Sequence, residues 1–285
     1  MSSHCRHNRD SARHHPSAIR GLAAWATGLA FFAPVAWMVL TSLHSETDAA
    51  TNPPSLTAPL TLQGYREFFG ASTGASPWPA LINSGTAGIT STVLVLALAI
   101  PAAYALVVKP VRRWSDVMFF FLATKMLPAV AGLLPVYLFA KELGLLDNIW
   151  LLAVLYTAMN LPIAVWMMRS FLAEIPVDVF EAAAIDGAGI LTVVHKIIIP
   201  ITAPGIAATS LICFIFSWNE ILFARVLTGV NATTAPVFLT RFVTSQGLFL
   251  AQVCAAAVVV SLPVLAAGFA AQGKLVQGFS LGAVK

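Results

Sequence analysis

The sequence predicts an all-helical integral membrane protein with six transmembrane helices. Three observations carry this. The 285 residues are 58% hydrophobic and only 10% charged, whereas soluble domains run about 45–50% apolar and about 25% charged. Six stretches are long enough to cross hydrocarbon about 30 Å thick, which takes roughly 20 helical residues. Each is apolar on all sides rather than along one stripe, as lipid requires. Helices satisfy a spanning backbone without water, and no ten-residue alternation suggests a barrel.

Residues 1–20 form a basic tail holding Arg6, Arg9, Arg13, Arg20 and four of the six histidines, His4, His7, His14 and His15. A solvated tail accounts for those histidines more simply than a weak metal site. The first span, 21–43, carries an apolar run of about 20 residues, beyond the 7–15 of a signal peptide, and reads as a retained anchor. The loop that follows, to residue 80, is rich in Pro, Ser, Thr and Gly, with a short helix expected near 62–69. Further spans are expected at 81–108, 117–140, 150–168, 204–227 and 248–272. The six-helix domain is thus 21–272, with a tail at 273–285. The last span is rich in alanine, and small residues let helix backbones approach closely in lipid.

Orientation follows from the loop cations. With the N-terminus inside the cell, Lys109, Arg112, Arg113, Arg169, Lys196, Lys274, Lys285 and the four tail arginines are all cytoplasmic. Only Arg66, Lys141 and Arg241 then lie outside. Both termini and the loop 170–203 are therefore expected in the cytoplasm.

Proline falls in or beside every span, at Pro34, Pro101, Pro128, Pro135, Pro162, Pro204 and Pro263. Such prolines suit a moving pathway, but proline is also simply common in membrane helices. Charge inside a span is costly and tends to mark function. Lys125 is the deepest cation, and Asn219 and Glu220 fall inside the fifth span beside Trp218. These residues either line a polar passage, with Trp218 against an apolar face of the solute, or tie helices together.

The three cysteines, Cys5, Cys213 and Cys254, form no pair with metal or disulfide spacing. No GxxxxGK[ST] loop, HExxH or GxSxG occurs. A polytopic membrane enzyme is left without visible catalytic groups. No basic stripe with interleaved aromatics points to nucleic acid.

The segment EAAAIDGAGILTVVHKIIIP, residues 181–200, sits charged and alanine-rich between two spans. It parses as two short helices. Pro176 starts the first, Gly187 and Gly189 break it, and Pro200 and Pro204 lead into the next span. The elbow is a slim knob on the cytoplasmic surface.

This segment resembles the EAA loop of ABC importer permeases: E-A-A, three residues, G, nine residues, then I-x-L-P. The matching residues are Glu181, Ala182, Ala183, Gly187, Ile197 and Pro200, with Asp186 beside them and Ile199 where leucine is usual. NLPIAVWMMRSFLAEIPVDVFEAAAIDGAG, FIFSWNEILFA and the terminal GFSLGAVK resemble the smaller permease of maltose-type sugar importers. The resemblance runs from the first span to the last residue.

It implies a type I, maltose-permease-like fold and a bacterial cell-membrane location. It also implies import of a sugar, such as trehalose or maltose. The partners it implies are a second, homologous permease, a pair of ATPases and an external sugar-binding protein. The elbow is then the coupling helix, the ATPases hold ATP and Mg, and this chain holds no cofactor. The outside loop around TAPVFLTRF, with Pro236 and Phe238, is expected to touch the binding protein. A permease of the same superfamily for a non-sugar solute is the nearest alternative.

Overall fold

A computed structural model of the chain describes residues 18–51, 57–70, 76–108, 111–244 and 247–282. The histidine-rich tail, Cys5, Lys109 and the last three residues lie outside the described residues. The first long helix, α1 (Ala18–Ser42), is followed by two short ones, α2 (Glu46–Ala49) and α3 (Gln63–Phe69). Then come α4 (Trp78–Val108), α5 (Trp114–Met126), α6 (Ala129–Glu142) and α7 (Ile149–Leu172). The loop after α7 holds α8 (Val177–Ile185), α9 (Ile190–Val193), a π-helical turn (Val194–Ile198) and α10 (Ile199–Ile201). Last are α11 (Ala203–Trp218), α12 (Leu222–Leu227), α13 (Ala235–Leu239), a short hairpin pairing Val243 with Leu248, and α14 (Leu250–Gly282).

Four helices, α1, α4, α7 and α14, are each long and apolar enough to span a membrane. Up to two more spans are present if each of two bent helix pairs is counted as one. The stretch expected as one helix at 117–140 is instead α5 and α6, bent by 85°. Leu127 precedes Pro128, and a residue before proline is disfavoured in the helical region; the same Leu–Pro pair stays helical at 161–162 in α7 and 262–263 in α14, so proline permits this bend without dictating it. Leu127 here adopts φ −67°, ψ 130°. The expected fifth span, 204–227, is also interrupted: α11 ends at Trp218 and α12 restarts at Leu222. At the other end of α11, the stretch Ile190–Ile201 meets it at an angle of 84°. The sixth helix runs past its expected end at 272 to Gly282.

The core lies between α4 and α7, with α11 against both. Val95, Ala99 and Ala103 of α4 meet Ala164, Val165, Met168 and Leu172 of α7 in one buried cluster. Phe180, Ala183, Val193 and Ile198 of the elbow join the same cluster, so the elbow is seated on the bundle rather than hung from it. Helix α1 leans on α14 and leaves Trp25 and Phe31 exposed, a surface for lipid or a partner helix.

Gly205, near the start of α11, is a close-approach glycine. A Cβ built there would lie 2.3 Å from Cγ of Phe171. That atom is at the rigid base of the ring and has little room to retreat. Gly205→Ala is expected to cost about 1–3 kcal/mol of overpacking. A lower midpoint for thermal unfolding of the detergent-purified protein checks this.

Candidate functional site

At the end of the bundle beyond α7, the elbow is built as the sequence suggests. Gly187 has φ +70°, the left-handed region that favours glycine. Its N–H donates to the Ala184 carbonyl at 3.1 Å, and Ala188 N–H donates to Ala183 at 2.9 Å. This pair of bonds is the Schellman ending, which closes α8 and turns the chain sharply. Phe180 and Ala183 face the core, with the Phe180 ring 5.9 Å edge-on from Tyr104. The other face is open. Glu181, Ala182, Asp186 and Gly187 are exposed, as are Val177, Ile185, Ile190 and Leu191, with Ile185 at 86%. Ile197 is half-buried and Pro200 is exposed. The elbow thus presents an apolar, acid-flecked ridge on a base seated in the core.

Midway along the bundle is a cavity of about 230 Å³. It is lined by Lys125 of α5, Tyr156, Met159 and Asn160 of α7, Phe216 and Ser217 of α11, and Glu220 in the break. Lys125 and Glu220 both line this cavity. The Lys125 ammonium lies 5.9 Å from the Phe216 ring centre. Tyr156 is 1% exposed, and its hydroxyl sits beside the Glu220 carboxylate without completing a hydrogen bond. Asn160 donates to Ser217 Oγ at 2.9 Å, and Ser217 Oγ meets Ser91 Oγ of α4 at 2.9 Å. That ladder fixes three helices behind the cavity.

Glu220 has a second duty. Its Oε1 accepts from Phe223 N–H at 3.0 Å and its Oε2 from Ala224 N–H at 3.1 Å. Both bonds satisfy otherwise orphaned donors in the first turn of α12. The two neighbours expected beside it stand elsewhere. Asn219 closes α11, its side-chain amide donating back to the Ile215 carbonyl at 2.9 Å. Trp218 is 3% exposed and is turned to α14, with Nε1 donating to the Val260 carbonyl at 3.1 Å. The structure does not bring Trp218 or Asn219 into the cavity. Successive helical residues differ by about 100°, so Ser217 and Glu220 share a face that Trp218 leaves.

At the opposite end of α7, about 36 Å along its axis, is the loop between α12 and α14. Phe238, expected to reach a partner, is instead 3% exposed, held edge-on by Phe68 and Phe242 at 6.1 and 5.8 Å. Its apolar bulk builds this loop's own core, and Pro236 beside it is half-buried. Among the described residues of this loop, Val230 is the most exposed large apolar side chain, at 85%. Arg225 is also exposed and donates to Thr240 Oγ1 at 2.7 Å.

Sequence reasoning missed Asp147, in the turn before α7. Its carboxylate takes four hydrogen bonds from residues 229–232 at 2.8–2.9 Å. Partial burial opposes ionisation of this carboxyl, but those bonds outweigh it and hold its pKa below the ordinary value. A depressed pKa means the clasp is complete above the ordinary carboxylate range and is lost only as pH falls through the lowered value. The protection of the Gly229, Asn231 and Ala232 amides, relative to unstructured amides at the same pH, is thus expected to persist across neutral and mildly acidic pH.

An exposed elbow at one end, a cavity lined by Lys125 and Glu220, and a loop tied by Asp147 at the other end are thus carried on one set of membrane-length helices. The chain belongs to the family described as binding-protein-dependent transport system inner membrane component, which matches residues 95–278. It is a multi-pass, pore-forming permease subunit rather than an enzyme, working with a separate ATPase and a solute-binding protein. The chain is 39% identical over 252 residues to the probable ABC transporter permease protein y4oR of Sinorhizobium fredii, covering 88% of this chain and 90% of the relative. It is 31% identical over 255 residues to the trehalose transport system permease protein SugB of Mycobacterium tuberculosis, covering 88% and 92%. A bacterial ABC transporter that imports the acidic polysaccharide alginate shares the fold. The TM-score is 0.72 and identity 24%, over 90% of this chain and 95% of that one.

Proposed function

We propose that the chain is one of two homologous permeases in an ATP-driven importer that brings a sugar into a bacterial cell, a disaccharide such as trehalose or maltose. The observation that carries this is the exposed, rigid elbow at 177–201, on a chain whose relatives include one named for trehalose transport. In this reading the elbow, through Glu181, Asp186 and the apolar ridge, sits in a cleft of the ATPase. ATP and Mg belong to the ATPase pair, and this chain needs no cofactor. The cation bias of the loops supports cytoplasmic termini and a cytoplasmic elbow. The second permease covers the apolar faces that α1 leaves open.

The cavity at Lys125, Tyr156, Asn160 and Glu220 is the passage. It is too small for a whole disaccharide and suits one ring or its hydroxyl groups, the Lys125 ammonium and Tyr156 hydroxyl facing them as donors. The Lys125 cation also favours a second reading, an acidic sugar. Uptake of labelled disaccharides and sugar acids by cells with and without this chain separates the two. Loss of a neutral disaccharide on deletion supports the first reading, and loss confined to acids supports the second. No change with any sugar rejects both.

The external loop touches the binding protein at the exposed Val230. A photo-crosslinker at Val230 is expected to capture the binding protein, and one at Phe238 is not. Capture from Phe238 alone would contradict the placement of that ring in the loop core.

A further inference from the structure

The loop at 229–234 has no regular secondary structure, yet every turn of it is tied. Asp147 is the centre of the ties. Its Oδ1 accepts from Gly229 N–H and Ala232 N–H, both at 2.8 Å. Its Oδ2 accepts from the backbone N–H and the side-chain amide of Asn231, both at 2.9 Å. Its own N–H donates to the carbonyl of Leu227, the last residue of α12, at 2.8 Å. From α4, the Asn83 amide donates to the Asn231 and Thr233 carbonyls at 2.8 and 3.0 Å, and Ser84 Oγ accepts from Ala235 N–H at 2.8 Å.

Asp147 holds φ +57° to do this. That is a left-handed conformation, which Asp adopts more readily than most residues with a Cβ because its short side chain can hydrogen-bond locally. The next residue, Asn148, caps α7, its Oδ1 accepting from Trp150 N–H at 2.9 Å. The clasp therefore fastens the loop to the first turn of the helix that lines the cavity with Tyr156 and Asn160 and ends at the elbow.

We infer that Asp147 is a positioning residue: it holds residues 229–232 in the shape that presents Val230 to the binding protein, and it fixes that shape to the start of α7. This rests on the reading that the loop is a binding-protein contact. The clasp adds that the loop arrives preformed, so the binding protein meets an ordered surface and loses no affinity to ordering it. A change of four charge-assisted hydrogen bonds in one side chain is large enough to be read in coupling as well as in local order.

The whole transporter in lipid vesicles, with its ATPase and binding protein, provides the test. Three variants are compared, Asp147→Ala, the milder Asp147→Asn and the loop variant Val230→Arg. The first readout is the binding-protein concentration that half-maximally stimulates ATP hydrolysis, with each variant's maximal rate recorded separately. The second is hydrogen exchange of the amides of 229, 231 and 232. Asp147→Ala is expected to raise the half-maximal concentration about tenfold, with faster exchange at those amides. Asp147→Asn, which keeps one acceptor oxygen, is expected to fall between it and the parent. Val230→Arg is expected to raise the concentration with exchange unchanged. If only Val230→Arg has an effect, the contact stands and the positioning role is overturned. If the Asp147 variants shift coupling while the amides stay protected, Asp147 acts otherwise and the inference is overturned. If no variant shifts the half-maximal concentration, the loop is not the contact and both fall. Should Asp147→Ala fail to assemble, Asp147→Asn decides among the same outcomes.

Discussion

Gly187→Pro is expected to reduce uptake by a hundredfold or more while the complex still reaches the membrane, because the elbow loses its turn and not its seat. Gly187 sits at φ +70°, and proline is held near −65°. The substitution also removes the N–H that bonds the Ala184 carbonyl. Misfit and lost bond together cost about 3 kcal/mol or more, and the chain must relieve this by reopening the end of α8. Sterics are not the reason, since a Cβ at Gly187 meets nothing within 4 Å. Gly187→Ala is therefore a control that isolates conformation. It carries only the left-handed penalty of roughly 1–2 kcal/mol and should lose less. Glu181→Ala should fall in the same direction for a different reason. Glu181 is exposed, so in the proposed reading its loss acts on the contact with the ATPase. Stimulated ATP hydrolysis and uptake, measured on the same preparation, read all three. Normal coupling in Gly187→Pro would show that the elbow's shape is irrelevant.

The second large effect is at Glu220. Both carboxylate oxygens accept backbone N–H groups of α12, and a glutamine offers only one acceptor. Glu220→Gln is expected to cost about 1–2 kcal/mol of local helix stability and to lower uptake about tenfold. It cannot by itself separate passage from scaffold, because Glu220 serves both. Lys125→Gln can. Lys125 lines the same cavity from the last turn of α5, whereas the α12 cap is made by Glu220. If Lys125→Gln assembles normally and alters uptake or solute preference, the cavity is the passage. If it transports like the parent, while Glu220→Gln loses assembly, the cavity is structural.

The fold and the elbow were legible because their causes are local. Span length follows from the apolar runs, and the turn at Gly187 follows from the E-A-A spacing with a glycine after it. The break at Leu127–Pro128 was not legible from the dipeptide, since the same Leu–Pro pair at 161–162 and 262–263 stays inside the unbroken α7 and α14. Asn219 and Glu220 draw notice as polar residues within a span, but half their meaning is punctuation. One ends α11 and the other caps α12. Trp218 is misplaced when adjacency in sequence is followed instead of helical face. Phe238 looks like bait for a partner because apolar residues in a loop can serve a foreign core or the loop's own. Only packing on Phe68 and Phe242 decides which. Asp147 could not have been found. Its partners lie more than 80 positions away, and LLDN reads as any other turn.

The most direct measurement of ATP-driven import through this chain uses vesicles holding the complete transporter, with ATP sealed inside and sugar-loaded binding protein outside. Accumulation of labelled disaccharide above the external concentration, lost without ATP or without binding protein and lost again in Gly187→Pro, is the expected result. Uptake that only equilibrates, and does so without ATP, would contradict it.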